Sequence, residues 1–183
     1  MRRIEIEETQ PVTTTFGLTL LRVVVGAIMA AHGFQKLMDF DAFQGQVAKL
    51  GLPFPEIMAP LALAGELLGG LGLIFGLLTR VAGFGVLCVM VVTIGWVNLK
   101  NGLFAENGGF EFPLTLAACA LLFIAIGGGP FSLDTLLRKR AARRAIEADE
   151  RWTKPPYVPV PEEALYEDAG RRRHVPERRV PRH

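Results

Sequence analysis

The apolar positions of this chain gather into four stretches, residues 16–38, 57–78, 81–97 and 112–129, separated by polar connections. About 18 or more consecutive apolar residues suffice to cross a bilayer as a helix, so the pattern predicts four transmembrane helices. The third and fourth stretches contain no charge. The second contains Glu66 near its middle, and the first contains Arg22, His32 and Lys36. A charge at that depth costs roughly 2.5–3.5 kcal/mol on insertion scales, so it normally faces protein or water and has a partner. Chemistry is therefore expected between the first two helices.

The connections carry their own patterns. In residues 39–56, Phe40, Phe43, Val47 and Leu50 recur at helical spacing among Asp39, Asp41, Gln44 and Lys49, and Gly51-Leu52-Pro53 stops the run. That predicts a short amphipathic helix in the membrane interface. Leu78-Thr79-Arg80 is a tight turn that makes the second and third helices antiparallel neighbours. Residues 98–111 are polar and glycine-rich. Gly127-Gly128-Gly129-Pro130 ends the fourth helix, after which Ser132 can cap a further helix with Asp134 in its first turn. Residues 1–15 read as a loose polar segment. The proline- and charge-rich tail after Trp152 reads as extended and unable to build a core. The expected organisation is an N-terminal segment (1–15), a four-span membrane domain (16–136) and a basic tail (137–183). The fold class is all-α, an integral membrane four-helix bundle with a disordered basic, Pro-rich C-terminal tail.

Charge is segregated along the chain. From Arg138 onward lie 13 of the 20 Lys and Arg but only 8 of the 18 Asp and Glu. Lys and Arg flanking the spans predict orientation. One side collects Arg2, Arg3, Arg80 and the run Arg138, Lys139, Arg140, Arg143 and Arg144, against Lys36, Lys49 and Lys100 on the other. Both termini are thus expected in the cytoplasm, with the two longer loops outside. The first apolar run is too long for a cleaved signal and reads as a permanent span. The run from Arg138 to Arg144 suits acidic lipid headgroups, or serves only to fix topology; nucleic acid is not an expected partner. Cys88 and Cys119 lie within spans without any CxxC or Cys/His cluster, so no metal site is expected, and two small buried hydrophobes are the simpler reading of the pair.

At 100° per residue, Arg22, Met29, His32, Gly33 and Lys36 fall within an arc of about 100° on the first helix. Ala59, Ala62, Glu66, Gly69, Gly70 and Leu73 share a face of the second, where small residues permit close helix approach. By rise per residue, His32 lies about 9 Å and Glu66 about 13 Å below the outer ends of their helices, and Arg22 roughly 15 Å beyond His32. The sequence reading gives Glu66 to Arg22 as an ion pair, structural at least in part, and turns His32 and Lys36 toward an outer pocket for a quinone headgroup, a small anion or a proton. His32 is the side chain best suited to exchange a proton near neutrality. Glu106 and Glu111 border the same outer mouth, Glu111 within reach of Lys36.

These residues resemble the DoxX family of small membrane proteins. The matching pieces are Arg22-x3-Gly26, His32-Gly33-x2-Lys36-Leu37, Gly51-Leu52-Pro53, Glu66-x2-Gly69-Gly70 and Gly76-Leu77-x-Thr79-Arg80. They continue with Asn101-Gly102-x-Phe104, Gly108-Gly109-x-Glu111-x-Pro113 and Gly127-x-Gly129-Pro130-x-Ser132-Leu133-Asp134. The resemblance implies a four-helix bundle in a bacterial or archaeal cytoplasmic (inner) membrane and, as in thiosulfate:quinone oxidoreductase and an oxidase-associated component, a subunit linked to a redox system. It also implies that Arg22, Lys36, Glu66 and Arg80 are the family's polar positions. Asn98 departs from relatives that carry histidine near the end of the third span. The expected function is a membrane subunit of a redox, quinone-linked assembly, with His32, Lys36 and Glu66 as candidate catalytic groups and electron carriers supplied by other membrane or redox subunits. The alternatives are a non-catalytic assembly or anchoring subunit, or a small-solute transporter.

Overall fold

The computed structural model describes residues 12–153, all helices, turns and loops. Contacts divide the chain into Met1–Ala142 and Arg143–His183. The first unit holds α1 (Val12–Met38), α2 (Phe40–Lys49), α3 (Pro55–Phe75), α4 (Thr79–Val92) and α5 (Glu111–Ile126), and α6 (Leu133–Thr153) begins within it. Residues 12–15, expected to be loose, are already helical; Thr15 is buried and its carbonyl accepts from the Thr19 hydroxyl at 2.8 Å. The expected conformations of residues 1–11 and of the tail after residue 153 lie outside the described residues.

Among the described residues, three helices are long and apolar enough to cross a membrane: Thr13–Met38, Pro55–Phe75 and Thr79–Asn101. The last is α4 continued by a π-helical stretch (Thr93–Asn98) and a 3₁₀ turn (Leu99–Asn101). The fourth apolar helix, Glu111–Ile126, is shorter. At 1.5 Å per residue it covers about 24 Å. Helix α1 packs on α3, α3 on α4, α4 on α5, and α5 returns to touch α1. The shared core includes Val25, Met29, Leu73, Val86, Leu116, Ala120 and Phe123.

Glycine decides how closely these helices approach. A Cβ on Gly26 would lie 2.7 Å from the Gly70 carbonyl oxygen, and one on Gly33 would lie 2.8 Å from the Leu67 Cα, so α1 and α3 meet backbone to backbone. On the other side of α3, a Cβ on Gly65 would lie 3.0 Å from the Gly85 oxygen of α4. Small residues of this kind allow dispersion contacts where lipid removes the hydrophobic drive between helices.

The α3–α4 turn is closed from a distance. Gly76 (φ +64°) ends α3 with the Leu77 N–H on the Gly72 carbonyl at 2.9 Å, a left-handed helix stop suited to glycine. Leu78 follows at φ 48°, an unusual value for a branched residue, and offers no side-chain cap to α4. Asp134 of α6 supplies that cap. Its carboxylate accepts from Leu78 N–H (2.7 Å), Thr79 N–H (2.9 Å) and the Thr79 hydroxyl (2.9 Å), while its own N–H reaches the Gly76 carbonyl at 3.0 Å. Ser132 caps α6 as expected, its hydroxyl oxygen accepting from Thr135 N–H at 3.2 Å.

Candidate functional site: a buried carboxylate at the head of an apolar groove

The α1–α3 register follows from the glycine contacts. Gly26 faces Gly70 and Gly33 faces Leu67, so residues whose numbers sum to about 98 lie level. Glu66 is therefore level with the stretch around His32 and Gly33, one turn from Lys36, and Arg22 is level with Gly76. Arg22 and Glu66 stand roughly ten residues apart along the bundle, about 15 Å at 1.5 Å per residue. The expected Arg22–Glu66 pair is accordingly not formed. Glu66 Oε1 instead takes the Lys36 ammonium in a salt bridge. Arg22, 3% exposed, donates through Nη1 to the Gly128 carbonyl and through Nη2 to the Phe131 carbonyl at 2.8 Å. It ties α1 to the α5–α6 turn, directly against Gly76, where a Cβ would meet its guanidinium at 2.6 Å.

The Lys36–Glu66 pair is asymmetric. The Glu66 side chain is 4% exposed and the Lys36 side chain 28%. Glu66 Oε2 is buried without a hydrogen-bond partner among the described residues. Lys36 Nζ also sits over the Phe43 ring of α2, 4.8 Å from its centroid, a cation–π contact that holds the ammonium at the α2 interface. A buried carboxylate with one paired and one free oxygen can accept one more hydrogen bond or a proton.

Beside this pair a groove of about 970 Å³ runs between α2, α3 and α4. Phe43 and Val47 of α2 and the Leu50 that follows it wall one end, and Leu77, Leu78 and Val81 border the other. Between them lie Met58 through Phe75 of α3, about 26 Å of helix. Lys36 is the only charged residue among the described residues lining it; Gln46 and Thr93 add polarity near the same end. Cys88 faces this groove as a free thiol, and Cys119 of α5 is a half-buried one.

The remaining expected site residues are dispersed. His32 is exposed and does not line the groove, so it does not join Lys36 in a shared pocket; the groove opens on the α2 and α4 side of Lys36. Glu111 accepts from the Ala105 N–H at 2.7 Å and closes its own loop instead of meeting Lys36, and Glu106 is exposed. Arg138, Lys139, Arg140, Arg143 and Arg144 are exposed along α6. Among the described residues no cluster of His, Cys, Asp or Glu could hold a metal ion.

Two features were missed by sequence reasoning: the π-helical stretch that carries Asn98 and the cap that Asp134 places on α4. Asn98, at the end of the π-helical stretch, donates to the carbonyls of Gly108 (2.6 Å) and Gly109 (3.3 Å), and its Oδ1 is buried without a partner among the described residues. Such π-helical insertions have no composition signal and are frequent at functional sites. Asp134 was legible only as a first-turn acid of α6. The absence of any Ser, Thr, Asp or Asn before α4 was the clue that its first N–H groups need an acceptor from elsewhere.

The DoxX family model matches residues 17–99, which include Arg22, Lys36, Glu66 and Asn98. The Bacillus subtilis protein named "Putative oxidoreductase CatD" is 34% identical over 125 residues, covering 67% of this chain and 88% of that protein. The inner membrane protein YqjF of Escherichia coli is 29% identical over 130 residues, covering 68% and 94% respectively. An uncharacterized membrane protein of Mycobacterium tuberculosis is 31% identical over 132 residues, covering 66% and 81%. No solved structure matches this chain. With the family model falling on the helices that build the Lys36–Glu66 site, and relatives matched over most of their length, the chain belongs to the DoxX family of membrane proteins.

Proposed function

We propose that this protein is a membrane subunit of a redox assembly and that its groove holds a quinone, ring at Lys36 and tail along α3 and α4. The observation that carries this reading is the match between an amphiphile and the groove: apolar walls along the spans, with a single cation at the head backed by a buried carboxylate. Lys36 would donate to a quinone carbonyl oxygen. Reduction to the quinol consumes electrons from a redox-active partner subunit and protons, which Glu66 can relay through its unpaired oxygen. The name of the CatD relative points to the same class of chemistry. His32, away from the groove, has no part in this scheme.

The excess of Lys and Arg flanking the Arg80 end supports an orientation with both termini in the cytoplasm, and the name of YqjF supports the inner membrane.

The test is extraction from native membranes in mild detergent, with quinone counted per protein by mass spectrometry. Wild type should retain quinone, Lys36→Met should lose most of it, and Glu66→Gln should retain it with altered turnover in the intact assembly. Wild type free of quinone, with partner subunits still attached, would overturn the quinone assignment and favour an anchoring subunit whose groove seats a partner helix.

A further inference from the structure

The clasp at Asp134 brings together two basic segments that are far apart in the sequence. Because Asp134 caps the N-terminus of α4, Arg80 in the first turn of α4 lies at the same end of the bundle as Arg138, Lys139 and Arg140, in the next turns of α6. All four are exposed. Their described hydrogen bonds go to backbone carbonyls, Arg80 to Ala125 at 3.4 Å and Arg138 to Asp134 at 3.3 Å. Asp134 is the only acid in residues 131–142, and its carboxylate oxygens are engaged by Leu78 and Thr79. Among the described residues none of these four side chains forms a salt bridge, and Asp134, whose charge acts on Arg138, is the one acid beside them on α6.

Apolar surface borders the cations. Leu78 is 63% exposed, Val81 65%, Phe131 60% and Leu137 52%. Cations beside exposed aliphatic and aromatic side chains complement an amphiphile with an anionic head and apolar tails. Free phosphate or nucleic acid would match the charge but leave the apolar border in water. We propose that Arg80, Arg138, Lys139 and Arg140 form a binding rim for anionic phospholipid headgroups of the protein's own bilayer, the phosphate taking charge-assisted hydrogen bonds while the acyl chains cover the neighbouring apolar residues.

Native mass spectrometry of the full-length protein, in mixed micelles of phosphatidylglycerol and phosphatidylcholine, tests this. Wild type should retain phosphatidylglycerol in preference, and rising salt should weaken that preference. Arg80→Gln/Arg138→Gln/Lys139→Gln/Arg140→Gln should reduce it by about tenfold or more. Lys49→Gln/Lys100→Gln, at the opposite end, should leave it unchanged. Should the quadruple variant fail to fold, Lys139→Gln/Arg140→Gln, whose side chains make no described hydrogen bond, should still lower it. Equal retention of the two lipids by wild type would overturn the proposal. So would equal loss in the Lys49/Lys100 variant, or displacement of the lipid by inorganic phosphate or an oligonucleotide.

Discussion

Lys36 and Glu66 are coupled, because among the described residues the buried carboxylate has no other cation to neutralise it and the ammonium is steered by both Glu66 and Phe43. Lys36→Met alone should destabilise the protein by about 3–5 kcal/mol, the cost of leaving a buried charge without its partner. Lys36→Met/Glu66→Gln should recover much of that loss, and thermal unfolding of the four proteins in one detergent measures the difference. A double variant no more stable than the single one would sink the coupling. Asp134 offers a second test at this scale. Burial alone would raise its pKa, but the N–H groups of Thr79 and Leu78, the Thr79 hydroxyl and the nearby Arg138 charge hold it below the ordinary carboxylate value. A depressed folded pKa means that its stabilisation is complete above the ordinary value of 3.8 and is lost as pH falls through the lower folded value. Melting curves across that acid range should fall for wild type and flatten for Asp134→Asn; parallel curves would remove Asp134 as the cause.

At the level of elements, the bundle depends on which glycines touch another helix. Gly26 meets α3 closely enough that a side chain would collide with backbone. Gly26→Leu should therefore separate α1 from α3, disturb the Lys36–Glu66 pairing and lower the melting temperature sharply. Gly45 lies in α2 with nothing within 4 Å of its missing Cβ. Gly45→Ala should stabilise the protein by about 0.5–1 kcal/mol through helix propensity. The pair of variants, measured side by side in detergent, distinguishes packing glycines from incidental ones. The π-helical stretch at Thr93–Asn98 belongs to this scale as well, since it sets where Asn98 meets the Gly108 and Gly109 carbonyls.

For the whole molecule, the charge distribution predicts the orientation. In a Cys88→Ala/Cys119→Ala background, Glu106→Cys should react with a membrane-impermeant maleimide added to intact cells, and Arg143→Cys only after lysis. The opposite pattern would invert the protein and exchange the leaflets facing the Lys36–Glu66 pair and the basic rim. Among the described residues three helices have the length and apolarity to span, and the shorter α5 closes the bundle from α4 back to α1. The same packing opens a groove between α2, α3 and α4, with Lys36, the only charged side chain among the described residues lining it, at one end.

Hydrophobic periodicity was sufficient to reveal the three helices long enough to span, the shorter apolar α5, the amphipathic α2 and the small-residue face of α3, because these follow from local patterns of 3.6 residues and from what lipid tolerates. Family motifs likewise marked Arg22, Lys36 and Glu66 as special. Which charge meets which was a tertiary matter. The glycine contacts fix the α1–α3 register, and that register puts Glu66 within reach of Lys36 and leaves Arg22 level with Gly76. Asp134 capping α4, and His32 lying outside the groove, depend on contacts between elements distant in sequence or on the side of a helix that its neighbours leave open. The sequence determined that buried charges must find partners; the packed backbones decided which partners lay within a side chain's length.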